Sequence, residues 1–490
     1  MSDESTVPIP DWARKVADHL GGGPHVVVTG ISTSGHIHVG NLREVLVGEA
    51  VADALRERGE EVRFIFHADT IDPLRKVAPG VPENFKEFMG HSLSRVPDPE
   101  GCHISYAEHF LVPFEEALDE MGMDIEVLRS HELYENDVYT DVTREALEHA
   151  EGLRQILQEV TGRRMPEHWS PYLPREASGR LAGHRILEHV PEESKVVFED
   201  EDGLEDAADY SKGEGKLGWR VELAARWKAL GVTFEPFGKD HTSRGGSTDT
   251  ADRMAEEIFH YPVPGRYEYE WIGIKGKGDM SSSRGIVLIP KDLLMIMPPD
   301  ALRRMVLGRD PARRSDLELG EGFPRFMDEY RASVEENPVP FTHLVTVAQT
   351  VGADVDAAAQ MLSRGGYEEA ARDRERLARY LSYARNWAEG WAPESLRLRI
   401  LDEGEAEEAA AGLDAEQREY LAAVAGELKQ ALDGDAVQDL LYSTAVGRGL
   451  KPKKAFAAVY TVLLGRKSGP KAGPFIAGLP VEVVRERFSL

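Results

Sequence analysis

The sequence predicts an α/β protein in which a doubly wound parallel sheet is interrupted by an insertion and followed by an all-helical C-terminal domain. Short β-branched runs alternate with helical stretches up to about residue 297, the pattern loosens over residues 163–217, and residues 298–490 contain no strand-like run. Strands that alternate with helices are typical of parallel sheets covered by helices on both faces. We therefore expect residues 1–162 and 218–297 to form the two halves of the sheet domain.

The first half of the sheet is predicted from three short apolar runs. Residues 25–30, 62–66 and 125–128 are brief and rich in apolar, largely β-branched side chains, as buried parallel strands are. Apolar residues recur at helical spacing over residues 41–58, between the first two runs. This order indicates a strand, a loop, a helix and a second strand.

Regular alternation returns after the insertion. We predict a helix at residues 221–230, a strand at 232–235, a helix through 254–256 and a strand at 267–274. The insertion contains Pro, Gly and Ser and an acidic run at residues 199–209, so we expect a solvated surface excursion. Beyond residue 298 the periodicity is helical, and residues 402–417 are either an exposed loop or a helix.

Composition limits the classes of protein that fit. No run of eighteen apolar residues is present, and the first fifteen residues lack the pattern of a signal peptide, so a cytoplasmic protein without a membrane partner is expected. The single cysteine, Cys102, excludes an intramolecular disulfide and a four-cysteine zinc site. A formal charge of −28 repels polyanions, so any nucleic-acid surface must be a local basic patch. A monomer is compatible with these features.

The first loop with chemical character follows the first predicted strand. Residues 32–41 read Ser-Thr-Ser-Gly-His-Ile-His-Val-Gly-Asn and lead into a helix, where backbone N–H groups and the helix dipole favour anions. The loop lacks the glycine pattern of dinucleotide folds and the Lys of a Walker loop, and it contains histidines instead. Imidazoles can donate hydrogen bonds to phosphoryl oxygens, so the loop predicts a phosphate site, although a simple helix-start turn is the alternative.

A second loop follows the predicted strand at residues 267–274. Residues 275–285 read Lys-Gly-Lys-Gly-Asp-Met-Ser-Ser-Ser-Arg-Gly, which combines glycines, cations and hydroxyls. Such a loop can close over a triphosphate and neutralise a departing pyrophosphate, and a flexible turn is the alternative for this loop alone. Two such loops in this order on one interrupted parallel sheet are far more specific than either alone.

These loops resemble the two signatures of class I aminoacyl-tRNA synthetases, with His38-Val39-Gly40-Asn41 in the first and Asp279-Met280-Ser281-Ser282-Ser283 in the second. The resemblance is closest to class I lysyl-tRNA synthetases and covers almost the whole chain. It rests on residues 29–44, 72–77, 97–99, 101–103, 105–110, 219–221, 234–241, 245–247, 328–330 and 460–475. The resemblance implies a Rossmann-like catalytic domain, ATP and Mg²⁺ as cofactors, and lysine and tRNA(Lys) as partners.

Two positions depart from the family pattern. The second signature usually begins with lysine and often has another lysine where Ser282 stands, whereas this chain begins it with Asp279. Lys275, Lys277 and Arg284 are the cations expected to reach the phosphates instead, and losing one donor typically costs about 3 kcal/mol of transition-state stabilisation. Residues 174–179 lack the Cys-x-x-Cys often found in the insertion, so that zinc site cannot form.

The resemblance and the chemistry of the substrates together predict which residues form the site. The predicted catalytic residues are His36, His38, Asn41, Lys275, Lys277, Ser281, Ser283 and Arg284. The predicted ATP-binding residues are Ser32, Ser34, His38, Gly40, Asn41, Gly245, Gly246, Met280, Ser281 and Ser282. A lysine side chain needs an anionic partner and an apolar or aromatic wall. The predicted lysine-binding residues are Gly30, Ser32, Asp69, Asp72, Trp219, Asp240, His241 and Tyr269, with helix capping as the alternative for the two aspartates at 69 and 72.

Two further sites are predicted outside the sheet loops. Cys102, His103 and His109 can hold zinc if a carboxylate or His91 completes the set, and stabilisation of the loop by polar contacts is the alternative. Residues 448–471 are basic in a strongly acidic chain, which favours contact with RNA phosphates. The predicted tRNA-binding residues there are Lys451, Lys453, Lys454, Arg466, Lys467 and Lys471. The resemblance implies that this helical domain binds the anticodon.

The sequence thus predicts a lysine–tRNA ligase. The alternatives are a paralogue that forms lysyl adenylate but passes lysine to another acceptor, a nucleotidyltransferase acting on a small metabolite, and a non-catalytic tRNA-binding protein. Nucleotidyltransferases that share the His-x-Gly loop are usually much shorter and lack a helical domain of this size. The complete helical and basic C-terminal region counts against a paralogue without tRNA.

Overall fold

A computed structural model describes residues 8–181, 185–200, 203–276, 278–279, 287–429 and 432–490. The chain divides into two compact units. One extends to Leu294 and includes Leu302–Leu317, and the other comprises Met295–Ala301 and Glu318–Leu490. None of the described helices is both long enough and apolar enough to cross a membrane.

Helices and strands alternate in the part of the chain before residue 318. In order they are α1 (Asp11–Leu20), β1 (His25–Ser32), α2 (Val39–Glu57), β2 (Val62–Asp69), α3 (Tyr106–Glu120), β3 (Glu126–Arg129), α4 (Ser130–Glu135), α5 (Thr140–Glu148), α6 (Ala150–Thr161), β4 (Tyr172–Pro174), β5 (Arg185–Val190), β6 (Lys195–Glu199), β7 (Glu205–Asp209), β8 (Gly215–Leu217), α7 (Trp219–Leu230), β9 (Phe234–Gly238), α8 (Lys239–Thr242), α9 (Ser247–Glu257), β10 (Gly265–Tyr269), β11 (Ile272–Ile274), β12 (Gly278–Asp279), α10 (Pro290–Leu294), α11 (Pro299–Leu307) and β13 (Ser315–Leu317).

The regular elements described after residue 317 are all helical. They are α12 (Phe323–Val334), α13 (Phe341–Val351), α14 (Val355–Arg364), α15 (Glu368–Arg372), α16 (Arg374–Gly390), α17 (Glu403–Ala411), α18 (Ala415–Glu427), α19 (Gly434–Gly447), α20 (Pro452–Leu464), α21 (Ala472–Gly478) and α22 (Val481–Phe488). The acidic stretch at residues 402–417 is helical, because Asp402 and Asp414 each begin a helix with a capping box.

The central sheet has five strands in the order β10-β9-β1-β2-β3, and every neighbouring pair is parallel. The strand order reverses between β1 and β9, which confirms the predicted doubly wound fold. The register places Ser32 opposite Asp69 and Gly238 opposite Tyr269, at the carboxyl ends of four strands. Ligands of open α/β sheets bind at this edge, beside the reversal.

Two sequence predictions about strands were wrong in detail. Residues 267–274 do not form one strand: β10 lies in the central sheet, whereas β11 pairs with β12 and β13 in a separate small sheet. The strand β13 also lies beyond residue 298, where only helices were predicted. Alternation of apolar and polar residues indicates a strand whose two faces have different surroundings. It does not indicate which sheet the strand joins.

The insertion is more than a solvated excursion. Its strands β5, β6 and β7 form an antiparallel sheet, and β4 pairs with β8. Val196, Phe198, Tyr172 and Leu217 are fully buried. These strands resembled loop sequence because they are short and partly polar, and β5 contains no buried residue.

Candidate functional site

A cavity of about 620 Å³ opens at the carboxyl edge of the central sheet, where the strand order reverses. It is called the central cavity below. All eight residues predicted to bind lysine line it, together with His38, Gly40 and Asn41 of the first signature. An adjoining hollow of about 470 Å³, the side hollow, is lined by His36 and Ser34 and shares Ser32, His38 and Asn41 with the central cavity. The two spaces therefore form one region.

Other predicted residues lie elsewhere. Gly245 lines a different hollow, and Gly246 is buried in the backbone turn before α9 without lining either space. Lys275 lies just after β11, where its N–H donates to the Leu317 carbonyl at 3.0 Å, and it lines neither space. Six predicted residues lie outside the described part of the chain: Lys277, Met280, Ser281, Ser282, Ser283 and Arg284.

His38 is held in one orientation by the helix that it begins. Its Nδ1 accepts from the Asn41 N–H at 3.3 Å, and the Asn41 side-chain oxygen accepts from the His38 N–H at 3.1 Å. Because a backbone N–H only donates, Nδ1 is unprotonated and the ring proton is on Nε2. Burial lowers the pKa of His38 below its usual value, so the neutral form persists at pH 7. The ring offers a single N–H donor at the cavity wall.

The described residues on either side of the second signature lie close to the first. Ile272 of β11 lines the central cavity, and Gly278 pairs with Ile274 in the antiparallel turn that leads into the signature. After the signature, the Leu288 carbonyl accepts from the N–H of Val39, the residue next to His38, at 2.8 Å. The two signatures are thus connected to the same edge of the sheet.

Glu44 is a carboxylate of the cavity that sequence reasoning missed. Its Oε1 accepts from the Gly30 N–H at 2.9 Å, and its Oε2 accepts from the Tyr269 hydroxyl at 2.5 Å. Burial raises the pKa of Glu44 to about 7, and burial followed by the Glu44 charge raises the pKa of Tyr269 well above its usual value. Tyr269 therefore stays protonated and serves as a donor. Helical spacing was the available signal, since Glu44 follows Asn41 by three residues.

Arg226 also lines the central cavity, and the sequence analysis did not predict it as a site residue. Its guanidinium pairs with Glu235, which also accepts from the Trp227 indole at 2.6 Å, and all of these groups are buried. A β-carbon on Gly30 would lie 3.0 Å from Nη1 of Arg226, a tight contact, so glycine leaves room for this close approach. The cation is fixed beside the β1 backbone, with the Trp219 ring 5.9 Å away.

A buried ion cluster lies behind the cavity wall. Lys216 of β8 reaches Asp72 at 2.6 Å, Glu222 at 2.7 Å and Asp69 at 3.4 Å, and its side chain is 1% exposed. Burial alone would lower the pKa of Lys216, but the three carboxylates raise it well above its usual value. Burial also raises the pKa of Glu222 and of Asp72. Asp69 and Asp72 were predicted to meet the substrate or to cap a helix, and each is paired with an internal lysine.

The predicted metal residues do converge, with Asp98 as the fourth member. The ligand atoms of Asp98, Cys102, His103 and His109 all lie within 4.8 Å of one another. The Cys102 sulfur is 3.0 Å from His103 Nδ1 and 3.5 Å from His109 Nδ1. His91 is not part of this group, because its Nε2 is 3.0 Å from the Ser178 carbonyl oxygen. The Phe110 ring packs edge-on against both His109 and His36, which connects the group to the side hollow.

The basic C-terminal residues lie at the start of α20, where Lys451 is the N-cap, and after its end. Three of them have protein partners: Lys454 pairs with Asp414 and Glu416 at 2.7 Å, Lys471 with Asp435 at 3.4 Å, and Arg466 donates to the Ser395 carbonyl at 2.7 Å. Lys451, Lys453 and Lys467 are exposed, and none of them pairs with a carboxylate within the described ranges.

Comparison with known proteins agrees with this geometry. The family described as class I tRNA synthetases (K) matches residues 10–350. A lysine–tRNA ligase from Archaeoglobus fulgidus is 38% identical and aligns with 97% of this chain and 99% of its own length. A lysine–tRNA ligase from Methanocaldococcus jannaschii is 35% identical, over 98% and 99% of the two chains. Among solved structures, a glutamate tRNA ligase from Elizabethkingia meningosepticum covers 95% of this chain and 98% of its own at 14% identity and a TM-score of 0.48.

The family match spans more than half of the chain, and relatives of 35% and 38% identity align along almost all of it. The two histidines of the first signature, the cavity at the reversal of the sheet and the helical C-terminal unit fit that match. The chain belongs to the family of class I tRNA synthetases (K).

Proposed function

We propose that the protein activates lysine with ATP and Mg²⁺ and transfers it to the 3′-terminal adenosine of tRNA(Lys). The observation that carries this proposal is the central cavity, in which an acidic, aromatic-walled space adjoins His38 of the first signature. The relatives named as lysine–tRNA ligases support the choice of amino acid and of acceptor.

The first step needs positioning and charge stabilisation more than covalent chemistry. The lysine carboxylate attacks the α-phosphorus of ATP, a new P–O bond forms as the bond between the α- and β-phosphates breaks, and pyrophosphate leaves. Mg²⁺, when bound to the phosphates, would offset part of their negative charge. The His38 Nε2–H donates to a phosphoryl oxygen as negative charge builds on it. His36 and Ser34 in the side hollow, together with Asn41, bind the remaining phosphate oxygens. The product is an enzyme-bound lysyl adenylate.

In the second step a ribose hydroxyl of the terminal adenosine attacks the carbonyl carbon of the adenylate, and AMP leaves. Membership of class I indicates the 2′-hydroxyl. The hydroxyl proton passes to the departing phosphate, so no protein nucleophile is required.

Selection of lysine follows from the charges and rings of the cavity. The cavity is lined by four carboxylates, those of Glu44, Asp69, Asp72 and Asp240. It is also lined by two guanidinium groups, those of Arg75 and Arg226. Since Asp69 and Asp72 are paired with Lys216 and Arg226 with Glu235, Glu44 and Asp240 are the carboxylates placed to meet a substrate ammonium. The rings of Trp219 and Tyr269 can cover the methylenes of the substrate.

Binding of lysine is expected to strengthen as pH rises from 6 to 8. Glu44 has a pKa of about 7, and only its ionised form attracts an ammonium, so affinity should increase about tenfold over this range and binding should release a fraction of a proton. Calorimetry in two buffers of different ionisation enthalpy measures both quantities. Glu44→Gln should bind lysine more weakly and without this pH dependence, while Glu57→Gln, at the far end of α2, should behave as wild type. An unchanged pH profile in Glu44→Gln would exclude the assignment.

We further propose one zinc ion on Asp98, Cys102, His103 and His109. One thiolate, two imidazoles and a carboxylate at this spacing match the tetrahedral preference of zinc. Through Phe110, the ion would brace α3 against the loop that carries His36.

The single cysteine makes the zinc proposal directly measurable. The purified protein is expected to contain about one equivalent of zinc, and a thiol reagent should react with Cys102 only after a chelator is added, because a coordinated thiolate is protected. Cys102→Ala should lose the metal, whereas His19→Ala, away from the group, should retain it. A thiol that reacts at one rate with and without chelator, in protein lacking stoichiometric zinc, would refute the site.

We place the anticodon of the tRNA on the helical unit, with Lys451, Lys453 and Lys467 as its free cations within the described ranges. Lys453 lies in the first turn of α20, where the helix dipole also favours phosphate. Lys454, Arg466 and Lys471 would have to leave their present partners to contribute.

The proposed function is tested by pyrophosphate exchange with each of the twenty amino acids, followed by charging of total tRNA. Exchange that depends on lysine, together with charging of lysine-accepting tRNA, is expected. Lysine-dependent exchange without charging would favour a paralogue with another acceptor. RNA affinity without exchange would indicate a non-catalytic tRNA-binding protein.

A further inference from the structure

Three arginines from separate segments surround a hollow of about 530 Å³ in the sheet-containing unit. Arg163 follows α6, Arg220 is the second residue of α7, and Arg244 lies in the loop between α8 and α9. We call this space the arginine hollow. Gly245, which was predicted to bind ATP, also lines this hollow, but none of the three arginines has a role in the proposed activation of lysine.

The positive charge of the arginine hollow is not neutralised within the described part of the chain. None of its three guanidinium groups forms an ion pair there, and Arg163 and Arg244 are exposed. Glu159, which also lines the hollow, pairs with Arg253 at 2.8 Å, and the Asp249 carboxylate accepts from the Gly245 N–H at 2.8 Å. Burial, and then the charge of Arg163, lower the pKa of Arg220. In a chain of net charge −28, three adjacent cations without carboxylate partners indicate an anionic ligand.

The backbone holds the Arg220 side chain in place. Arg220 Nη1 donates to the carbonyls of Gly246 at 2.7 Å and Gly245 at 3.3 Å, which fixes the loop that carries Arg244. Gly245 has φ +77°, and a β-carbon there would lie 3.3 Å from the Val160 carbonyl oxygen, so this loop packs closely on the end of α6. Arg163 and Arg244 therefore stand on elements that already touch.

The arginine hollow and the central cavity share a wall. Trp219 lines the cavity and Arg220, the next residue, lines the hollow; His241 lines the cavity and Arg244, three residues later, lines the hollow. The residues assigned to the phosphates of ATP, at positions 32–41, line the central cavity and the side hollow only. A chain of phosphates that ends in the cavity would pass this hollow.

We propose that the arginine hollow binds backbone phosphates next to the 3′ end of the RNA acceptor, while the terminal nucleoside occupies the central cavity. Guanidinium groups match phosphate oxygens in bidentate geometry, and a rim of three allows more than one phosphate to be held. This inference rests on the proposed function, because it names a contact of the same RNA outside the helical unit.

The test compares Arg163→Gln/Arg244→Gln with Arg164→Gln, a neighbouring exposed arginine that does not line the hollow. The double variant should show a KM for total tRNA in charging about tenfold higher, with kcat and lysine-dependent exchange within twofold of wild type. Its affinity for total tRNA, measured without ATP, should also depend less on salt. The slope of log Kd against log salt should fall by about 0.7 for each lost contact with single-stranded phosphate. Arg164→Gln should match wild type in every assay.

Two results would overturn the inference. One is an unchanged KM for tRNA and an unchanged salt slope in the double variant. The other is a raised KM for ATP or pyrophosphate in exchange with tRNA kinetics unaffected, which would assign the hollow to a free nucleotide. If wild-type protein neither exchanges nor charges, the proposed function fails, and the direct tRNA-binding measurement still decides whether these arginines contact RNA.

Discussion

Replacing His38 with alanine is expected to reduce lysine-dependent pyrophosphate exchange about 100- to 1,000-fold, the usual cost of removing one preorganised donor from a developing oxyanion. The bond from the Asn41 N–H to Nδ1 fixes the ring so that its Nε2–H can reach the phosphates. The fold should persist, because His38 contributes to the core only through its cap on α2. Exchange rates at saturating ATP and lysine, measured beside circular dichroism, give the result.

A second variant separates the cap from the chemistry. His38→Asn restores a good N-cap but lacks a donor at the position of Nε2, so it should be as inactive as His38→Ala while recovering the roughly 1 kcal/mol of stability that a lost cap costs. Near-normal exchange in either variant would contradict the assignment of His38 to the phosphates.

The wild-type enzyme should also lose exchange activity on the acid side of pH 6.5. Burial lowers the pKa of His38 in the folded state. The stability that its neutral ring contributes as a helix cap is therefore fully present above the unfolded-state pKa and is lost as pH falls through the folded-state pKa. Protonation of Nδ1 would break the hydrogen bond from the Asn41 N–H, because two N–H donors would then face each other. At saturating lysine, where protonation of Glu44 no longer limits binding, this acid limb should be absent from the residual activity of His38→Asn.

Replacing Lys216 with methionine is expected to lower the free energy of unfolding by about 3–5 kcal/mol at pH 8, the usual cost of leaving buried charges unpaired. The variant would leave the carboxylates of Asp69, Asp72 and Glu222 without their common cation, in a place where Lys216 is 1% exposed. Urea unfolding at pH 8 measures the loss.

The pH dependence of this loss has a definite sign. Burial already raises the folded-state pKa values of Asp72 and Glu222, and without Lys216 these values rise further. The destabilisation is therefore greatest at high pH and shrinks as pH falls and these groups take up protons. Lys216→Arg keeps the charge and should be much less harmful. Lys212→Met is the surface control: it removes an exposed lysine of the same insertion, 3.1 Å from Asp209, and should cost about 0–1 kcal/mol. A Lys216→Met protein as stable as that control at pH 8 would show that the cluster contributes nothing.

Local sequence was sufficient for much of the sheet domain. The predicted helix at residues 41–58 differs from α2 by two residues at its start and one at its end, and the first strand differs from β1 only by its last two residues. Periodic burial and the capping positions are properties of neighbouring residues, so they can be read without the fold. The insertion was misjudged because its strands β5, β6 and β7 are short and few of their residues are buried.

The site residues that could be predicted are those at the carboxyl ends of the parallel strands. The carboxyl ends of parallel strands meet at one edge, so residues at or just after these ends, such as Ser32, Asp69 and Asp240, were expected together and do line one cavity. Glu44 and Arg226 were missed because each lies within a helix, and only the packing of that helix on the sheet determines which of its faces meets the cavity.

The sequence by itself therefore determined the strand-loop-helix of the first signature, the order of the two signatures and the set of residues at the sheet edge. Only the tertiary structure decided which charges remain available there. Asp72 is 144 residues from Lys216 in sequence but 2.6 Å away in space, and because of this pairing we propose Glu44 and Asp240 as the partners of a cationic substrate. Coulomb energy depends on distance and burial, and neither is a property of position along the chain.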